Sequence, residues 1–249
     1  MMKLLPSGIL LISFLSFSLT SFADVVINGT RIIFNSKYKE VAIQLKNQGS
    51  NPYLIQSWID DGIENSKPGE AKVPFIITPP VTRIDPGKGQ AVRILATNPA
   101  LPHDRETLFW FNMLEIPPKP KASESGNTLM QLAFRTRIKM FYRPDNLKTS
   151  PLEAYRNVGF SLQGDKLKVK NDSPYFITFK NIDIRKDKNS SILGEVISFP
   201  KRMLSPGSET IFPIKKKYNG SLTGKIVTYS VINDYGGETT NEQILQGQF

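Results

Sequence analysis

Apolar residues along this chain recur mostly at every second position, in short runs that end at turn-forming clusters. The runs are "VVINGTRIIF" (25–34), "EVAIQLKNQ" (40–48), "YLIQSWID" (53–60), "AVRILAT" (91–97), "TLFWFNMLEI" (107–116), "LMQLAFRTRIKMFY" (129–142), "LKVKND" (167–172), "FITFKNIDI" (176–184) and "KIVTYSVIND" (225–234). They are rich in β-branched and aromatic residues, the types that fit a half-buried pleated surface. Clusters such as "NQGSNP", "PPVTRIDPGKG", "KNDSP" and "LSPGSE" lie between them. Little of the chain shows helical periodicity, and the even spacing of strand and turn predicts all-β sandwiches. The 18 prolines fall mostly in the connections, where a missing N–H does no harm.

The polar segment "YRPDNLKTSP" (142–151), bracketed by Pro144 and Pro151, separates two strand-rich parts. It predicts two immunoglobulin-like domains, 24–145 and 152–249, each of an ordinary size for that fold. The N-terminal stretch differs from both. Lys3 precedes an apolar run from about Ile9 to Leu19, and Ser21-Phe22-Ala23 supplies small residues where a signal peptidase reads. The run is too short for a membrane span. A secretory signal peptide over 1–23, cleaved after Ala23, is expected, and no second apolar stretch predicts insertion into a membrane.

Composition narrows the chemistry. The full chain of 249 residues carries a net charge of +10, has no cysteine and has one histidine. A basic exported protein suits an anionic surface or partner, and without disulfides it must rely on core burial. The usual transition-metal ligands are nearly absent. His103, in "ALPHDRE", sits in a loop signal with no nucleophile-elbow pattern elsewhere, so a Ser/His/Asp hydrolase is not indicated. Asp60-Asp61 reads as a solvated pair in a turn. "PGKGQAV" lacks the third glycine of a dinucleotide fingerprint and runs into a strand, so it is a turn. Lys215 to Lys217 form an isolated cation patch rather than the stripe with stacking aromatics that nucleic acid would want. No enzyme signature and no cofactor motif emerges.

The longest run poses the functional question. In "GNTLMQLAFRTRIKMFYRP" (126–144), a regular strand puts Met130, Leu132 and Phe134 on one face. Leu129, Gln131, Ala133, Arg135, Arg137 and Lys139 share the other. The Pro/Ser/Lys-rich segment "IPPKPKASESGN" (116–127) leads into it as a loop. As a central strand it would be core, with its cations reaching out at the ends. As an edge strand its unpaired backbone groups and apolar row would be a template for another chain. Periodicity alone favours the core reading and leaves the edge reading open.

Six segments in order, behind a signal peptide, alter that balance. They are "NGTRIIF" (28–34), "NPYLIQSWI" (51–59), "TPPVTRIDPG" (78–87), "DRETLFWFNMLEIPP" (104–118), "RIKMFYRP" (137–144) and "VINDYGG" (231–237). Together they closely resemble the PapD-like periplasmic chaperones of chaperone–usher pili. The resemblance implies two immunoglobulin-like domains set at an angle, no catalysis and no cofactor. It implies a chaperone that lends an exposed strand to a pilus subunit lacking one, folds and caps it, and delivers it to an outer-membrane usher. Met130, Leu132 and Phe134 are then the donated side chains. Arg31 and Lys139 match the family's cleft pair that grips the subunit's terminal carboxylate. Arg93, Glu106 and Asp234 match an inter-domain salt-bridge trio, and Pro52 and Leu54 fall in the patch turned towards the usher. An exposed donor edge also offers the free protein a surface for self-association, which the sequence leaves open.

Two details stand apart. The short loop before the donor strand and the lack of cysteine match the short-loop branch of the family, and Phe134 is bulkier than the aliphatic residue expected there. Lys139 also has the opposite parity to Phe134, so a bulge, twist or bend between them is expected if both meet one cargo. The rival readings are a fimbrial subunit or adhesin, and a secreted hydrolase acting on an anionic polymer. A subunit should lack one strand and carry a detachable N-terminal extension, whereas the first strand here starts at about Val25.

Overall fold

The computed structural model describes residues 24–97, 100–119, 131–187, 190–199 and 201–247. The expected signal peptide and residues 120–127 of the expected loop lie outside them. The first strand-rich part contains β1 (Val25–Ile27), β2 (Arg31–Asn35), β3 (Glu40–Asn47), β4 (Tyr53–Asp60), β5 (Phe75–Thr78), β6 (Val81–Ile84), β7 (Gly89–Ala96), β8 (Thr107–Ile116) and β9 (Phe134–Arg143). They form a four-stranded sheet, β1-β3-β7-β5, and a five-stranded sheet, β2-β9-β8-β4-β6.

The run "VVINGTRIIF" is therefore not one strand. It breaks at Gly29, whose φ of 125° is readily adopted only without a Cβ. Its first half pairs with β3 in one sheet, and its second half crosses to pair with β9 in the other. The β2–β9 pairing is parallel, with Arg31 opposite Lys139 and Asn35 opposite Arg143. The start of β1 is fixed from below: the buried Glu115 carboxylate accepts the Val25 N–H, and the Tyr53 hydroxyl donates to Asp24.

Alternation sets the two faces of the five-stranded sheet. Ile32 and Phe34, Ile55 and Ile59, Phe109, Phe111 and Met113, and Met140 and Tyr142 point inward. They meet Ile43, Leu45, Val92 and Ile94 of the other sheet. Each large apolar side chain fully buried this way stabilises by about 1.5–3 kcal/mol. The opposite parity places Arg31, Arg135, Arg137, Lys139 and Arg143 on the outer face.

The second part contains α1 (Pro151–Arg156), β10 (Gly159–Gln163), β11 (Lys166–Asn171), β12 (Ile177–Arg185), β13 (Ile192–Val196), β14 (Met203–Leu204), β15 (Ser208–Lys216), β16 (Ile226–Ile232) and β17 (Glu238–Ile244). Its strands follow the order β10-β11-β15-β13-β12-β16-β17, with β14 on β12. They enclose a separate core around Phe160, Phe179, Phe212, Val227 and Tyr229. The helix α1 begins at Pro151, where the expected linker ends, and opens the second part. Its start is a capping box: the Ser150 hydroxyl accepts the Glu153 N–H, and the Glu153 carboxylate accepts the Ser150 N–H. Pro151 occupies the first turn, where its missing N–H costs nothing.

The outer face of β9 meets the second part. Phe141 is 2% exposed and packs its ring 5.6 Å from that of Phe176. His103 is exposed in its loop, and Lys216 and Lys217 pair with Asp165 and Glu195 at the surface. Asp60, expected in solvent, is completely buried at the end of β4. Strand parity carries it beneath the outer face, where arginines meet it, while Asp61 is exposed.

Candidate functional site

The edge of β9 has two halves. Against β8 it pairs without a register shift from Phe134 to Tyr142. On the other side β2 covers it only from Lys139 to Arg143. Phe134 to Ile138 therefore have one strand neighbour and one bare backbone edge. Within β9, residues 139–142 lie between two strands and 134–138 form an edge, so each reading of the run holds for about half of this strand. The ladder begins at Phe134 rather than Leu129.

The apolar row lies beside that bare edge. Leu132 is 56% exposed and Phe134 63%. Met130 lies outside the described residues. Phe134 has the inward parity of Met140 and Tyr142, so the row extends the core face beyond the end of the core.

Arg31 and Lys139 meet where the bare edge stops. The Arg31 Nη1 donates to the Ile232 carbonyl at 2.8 Å, and its guanidinium lies 5.8 Å from the Phe141 ring centroid. Its Nε is buried without a partner. The Lys139 ammonium lies 5.8 Å from the Trp110 ring centroid. Among the described residues neither cation forms an ion pair. Burial lowers the pKa of Arg31, against the pull of Asp234 and Glu106. Burial, and then the Arg31 charge, lower that of Lys139. Two half-desolvated cations with no carboxylate between them form a site for an anion, and a carboxylate there would make charge-assisted hydrogen bonds.

No bulge reconciles Lys139 with Phe134. The β8 register is unbroken between them, so they face opposite sides of the sheet. The strand edge itself supplies the reconciliation, because it borders both faces. A chain laid along residues 134–138 has the apolar row on one side. It runs into β2 at the cation pair on the other.

The salt bridge beside this cleft corrects one expectation. Glu106 and Asp234 both bind Arg143, not Arg93. The Arg143 Nε meets Glu106 at 2.7 Å, and Nη1 and Nη2 meet Asp234 at 2.6 and 2.8 Å. Burial opposes the Arg143 charge, but hydrogen bonds to Asp234 and the fields of both carboxylates outweigh it and raise its pKa. Glu106 also accepts the Phe176 N–H at 2.8 Å. Arg93 lies on β7 in the other sheet, between the fully buried Val92 and Ile94, and alternation turns it out to solvent. Arg143 shares the outward parity of Phe141 and stands opposite Asn35 in the pairing with β2, on the face that meets the second part. Leu54 is 43% exposed on β4, whereas Tyr53 packs inward on the core.

Comparison with known proteins agrees with the two-part fold. Residues 24–148 match the model of the pili and flagellar-assembly chaperone PapD N-terminal domain, and residues 153–243 that of the pili assembly chaperone PapD C-terminal domain. The chain belongs to the pilus-assembly chaperone family, which is not an enzyme family. It is 43% identical over 229 residues, 90% of each chain, to the probable fimbrial chaperone YadV of Escherichia coli K12. It is 39% identical to the chaperone protein FimB/FhaD of Bordetella pertussis, over 87% of this chain and 86% of the relative. The crystal structure of the YadV chaperone superposes with a TM-score of 0.72 at 38% identity, covering 90% of this chain and all of that one. That of the Pseudomonas aeruginosa CupB2 chaperone gives 0.71 at 33% identity, covering 88% of this chain and all of that one.

Proposed function

We propose that this protein is a periplasmic chaperone that lends the bare half of β9 to a pilus subunit missing one strand. The observation that carries this reading is the end of the bare edge at the Arg31–Lys139 pair. A subunit strand added beside residues 134–138 cannot continue past β2. Its chain terminus falls at the two cations, and its terminal carboxylate is the anion they hold. That grip fixes the register, so that Leu132 and Phe134, and Met130 ahead of them, enter matching pockets of the subunit. The kinship with fimbrial chaperones supports the same reading. On this reading cleavage after Ala23 leaves Asp24 as the first residue, and the exposed Leu54 with the neighbouring Pro52 faces the outer-membrane usher.

The test is recovery of partners from the periplasm of the protein's own host, with a C-terminal tag, beside Lys139→Ala. Small pilin-like proteins should accompany the wild type and vanish with the variant. Their absence from the wild type, while pilins are being made, overturns the reading.

A further inference from the structure

The bare half of β9 should be less secure than the half that β2 covers. It has hydrogen bonds on one side only, and such edges open at low free-energy cost. At its start the inward row is in solvent, with Phe134 and Leu132 ahead of it both exposed, and only Ile138 at its end packs on the core. Its outer face carries two arginines, and both are held down.

The Arg135 Nε and Nη2 donate to the Asn112 Oδ1 at 3.0 and 2.7 Å, and Nη1 donates to the Glu64 carbonyl at 2.9 Å. Its guanidinium lies 5.0 Å from the Trp58 ring centroid. The Arg137 guanidinium lies 4.2 Å from that of Trp110, and its Nη2 donates to Asp60. Asp60 is fully buried and also accepts from Asn112 Nδ2 at 2.7 Å, Ser66 Oγ at 2.9 Å and the Gly62 N–H at 2.8 Å. Burial would push its pKa up, but these donors, Arg137 first, hold it below the ordinary aspartate value. The cluster ties β9 to β8, to β4 and to the turn after Asp60. It serves only the half that lacks a second neighbour: from Lys139 onward, where β2 takes over, no residue of β9 reaches Asp60.

We propose that Asp60, Arg135 and Arg137 form a positioning cluster that keeps the bare half of β9 in strand form in the free protein, so that cargo meets an ordered edge. The proposal rests on the strand-lending reading for its purpose, but not for its first readout. An edge ordered for only a fraction of the time binds more weakly by that fraction, and the loss falls on capture rather than release.

The experiment is amide hydrogen exchange on the free mature protein, comparing wild type with Arg135→Gln, Arg137→Gln, Arg137→Lys and Phe134→Ala. The glutamine variants are expected to lose protection about tenfold at residues 134–138, with β2 and β3 unchanged. Arg137→Lys should recover part of it, and Phe134→Ala should leave it intact. Binding is then followed with the subunit that copurifies with the wild type, presented unfolded. Association should slow in the glutamine variants at an unchanged dissociation rate, whereas Phe134→Ala should speed dissociation. Unchanged protection in the glutamine variants overturns the proposal. So does a loss spread evenly through the first domain, or a change confined to dissociation. If the wild type binds no subunit, the strand-lending reading fails, while the exchange data still decide whether the cluster orders the edge.

Discussion

Arg31 and Lys139 stand directly opposite each other in the parallel pairing of β2 with β9, as like charges on one face of one sheet. Such a cross-strand pair is unfavourable by itself. The buried, unpartnered Arg31 Nε beside it indicates a pair built to receive something negative. Replacing either residue by alanine should leave the fold intact and weaken subunit binding by about 1.5–3 kcal/mol, the range for hydrogen bonds to charged groups. Titration of each variant with the copurifying subunit checks this, alongside a circular dichroism spectrum matching the wild type.

The lowered pKa of Lys139 gives the binding a pH dependence of known sign. A bound carboxylate favours the charged ammonium, so the pKa in the complex lies above that of the free protein. Affinity is then full below the free-protein pKa and falls as pH rises through it. That window opens on the acid side of the ordinary lysine value of 10.5. Lys139→Arg should retain binding and flatten the profile, because arginine stays protonated there. Affinity measured across the alkaline range decides it.

Arg143→Ala should destabilise the protein by about 3–5 kcal/mol, because it strands the Glu106 carboxylate without its cation. Glu106 is 4% exposed. Arg93→Ala, at a solvent-facing position, should change stability by no more than about 0.5 kcal/mol. Denaturant unfolding of the two variants side by side separates the trio observed from the trio expected.

Leu132→Ala and Phe134→Ala should behave in the opposite way. Both side chains are largely in solvent, so the free protein should lose little stability. Each should cost binding up to the full value of burying such a side chain, about 1.5–3 kcal/mol. A large loss of thermal stability in either free variant would count against the donor role. The same exposed row predicts concentration-dependent self-association of the free protein, which Phe134→Glu should abolish in sedimentation experiments.

Much of this was legible in the chain. The period-2 pattern gave the all-β class, and the alternation in 126–144 picked out Leu132 and Phe134, which the structure leaves in solvent. The family motifs carried Arg31, Lys139, Glu106 and Asp234 to one cleft. Other features were hidden for physical reasons. Arg93 and Arg143 are both arginines in apolar runs, and only sheet membership separates an outward arginine in solvent from one facing the second domain. Asp60 looked solvated because its partners, Arg137 and Asn112, lie far along the chain. The strand change at Gly29 had a local mark, a glycine between two polar residues, but nothing local says which sheet each half joins. The helix α1 had the clearest unread signal, Ser150-Pro151-Leu152-Glu153, a capping box with proline in the first turn.

The crossing of the first strand has one more consequence. An open sheet edge flanked by apolar side chains is ordinarily a seed for indefinite stacking of chain upon chain. Here β2 closes that edge after five residues, Phe134 to Ile138. At about 3.3 Å per residue this leaves a berth roughly 17 Å long. A guest strand can moor in it but cannot slide through, and its length is gauged against a fixed stop. The same backbone step that carries the chain between sheets thus turns a dangerous surface into a slot that accepts one occupant and then is full.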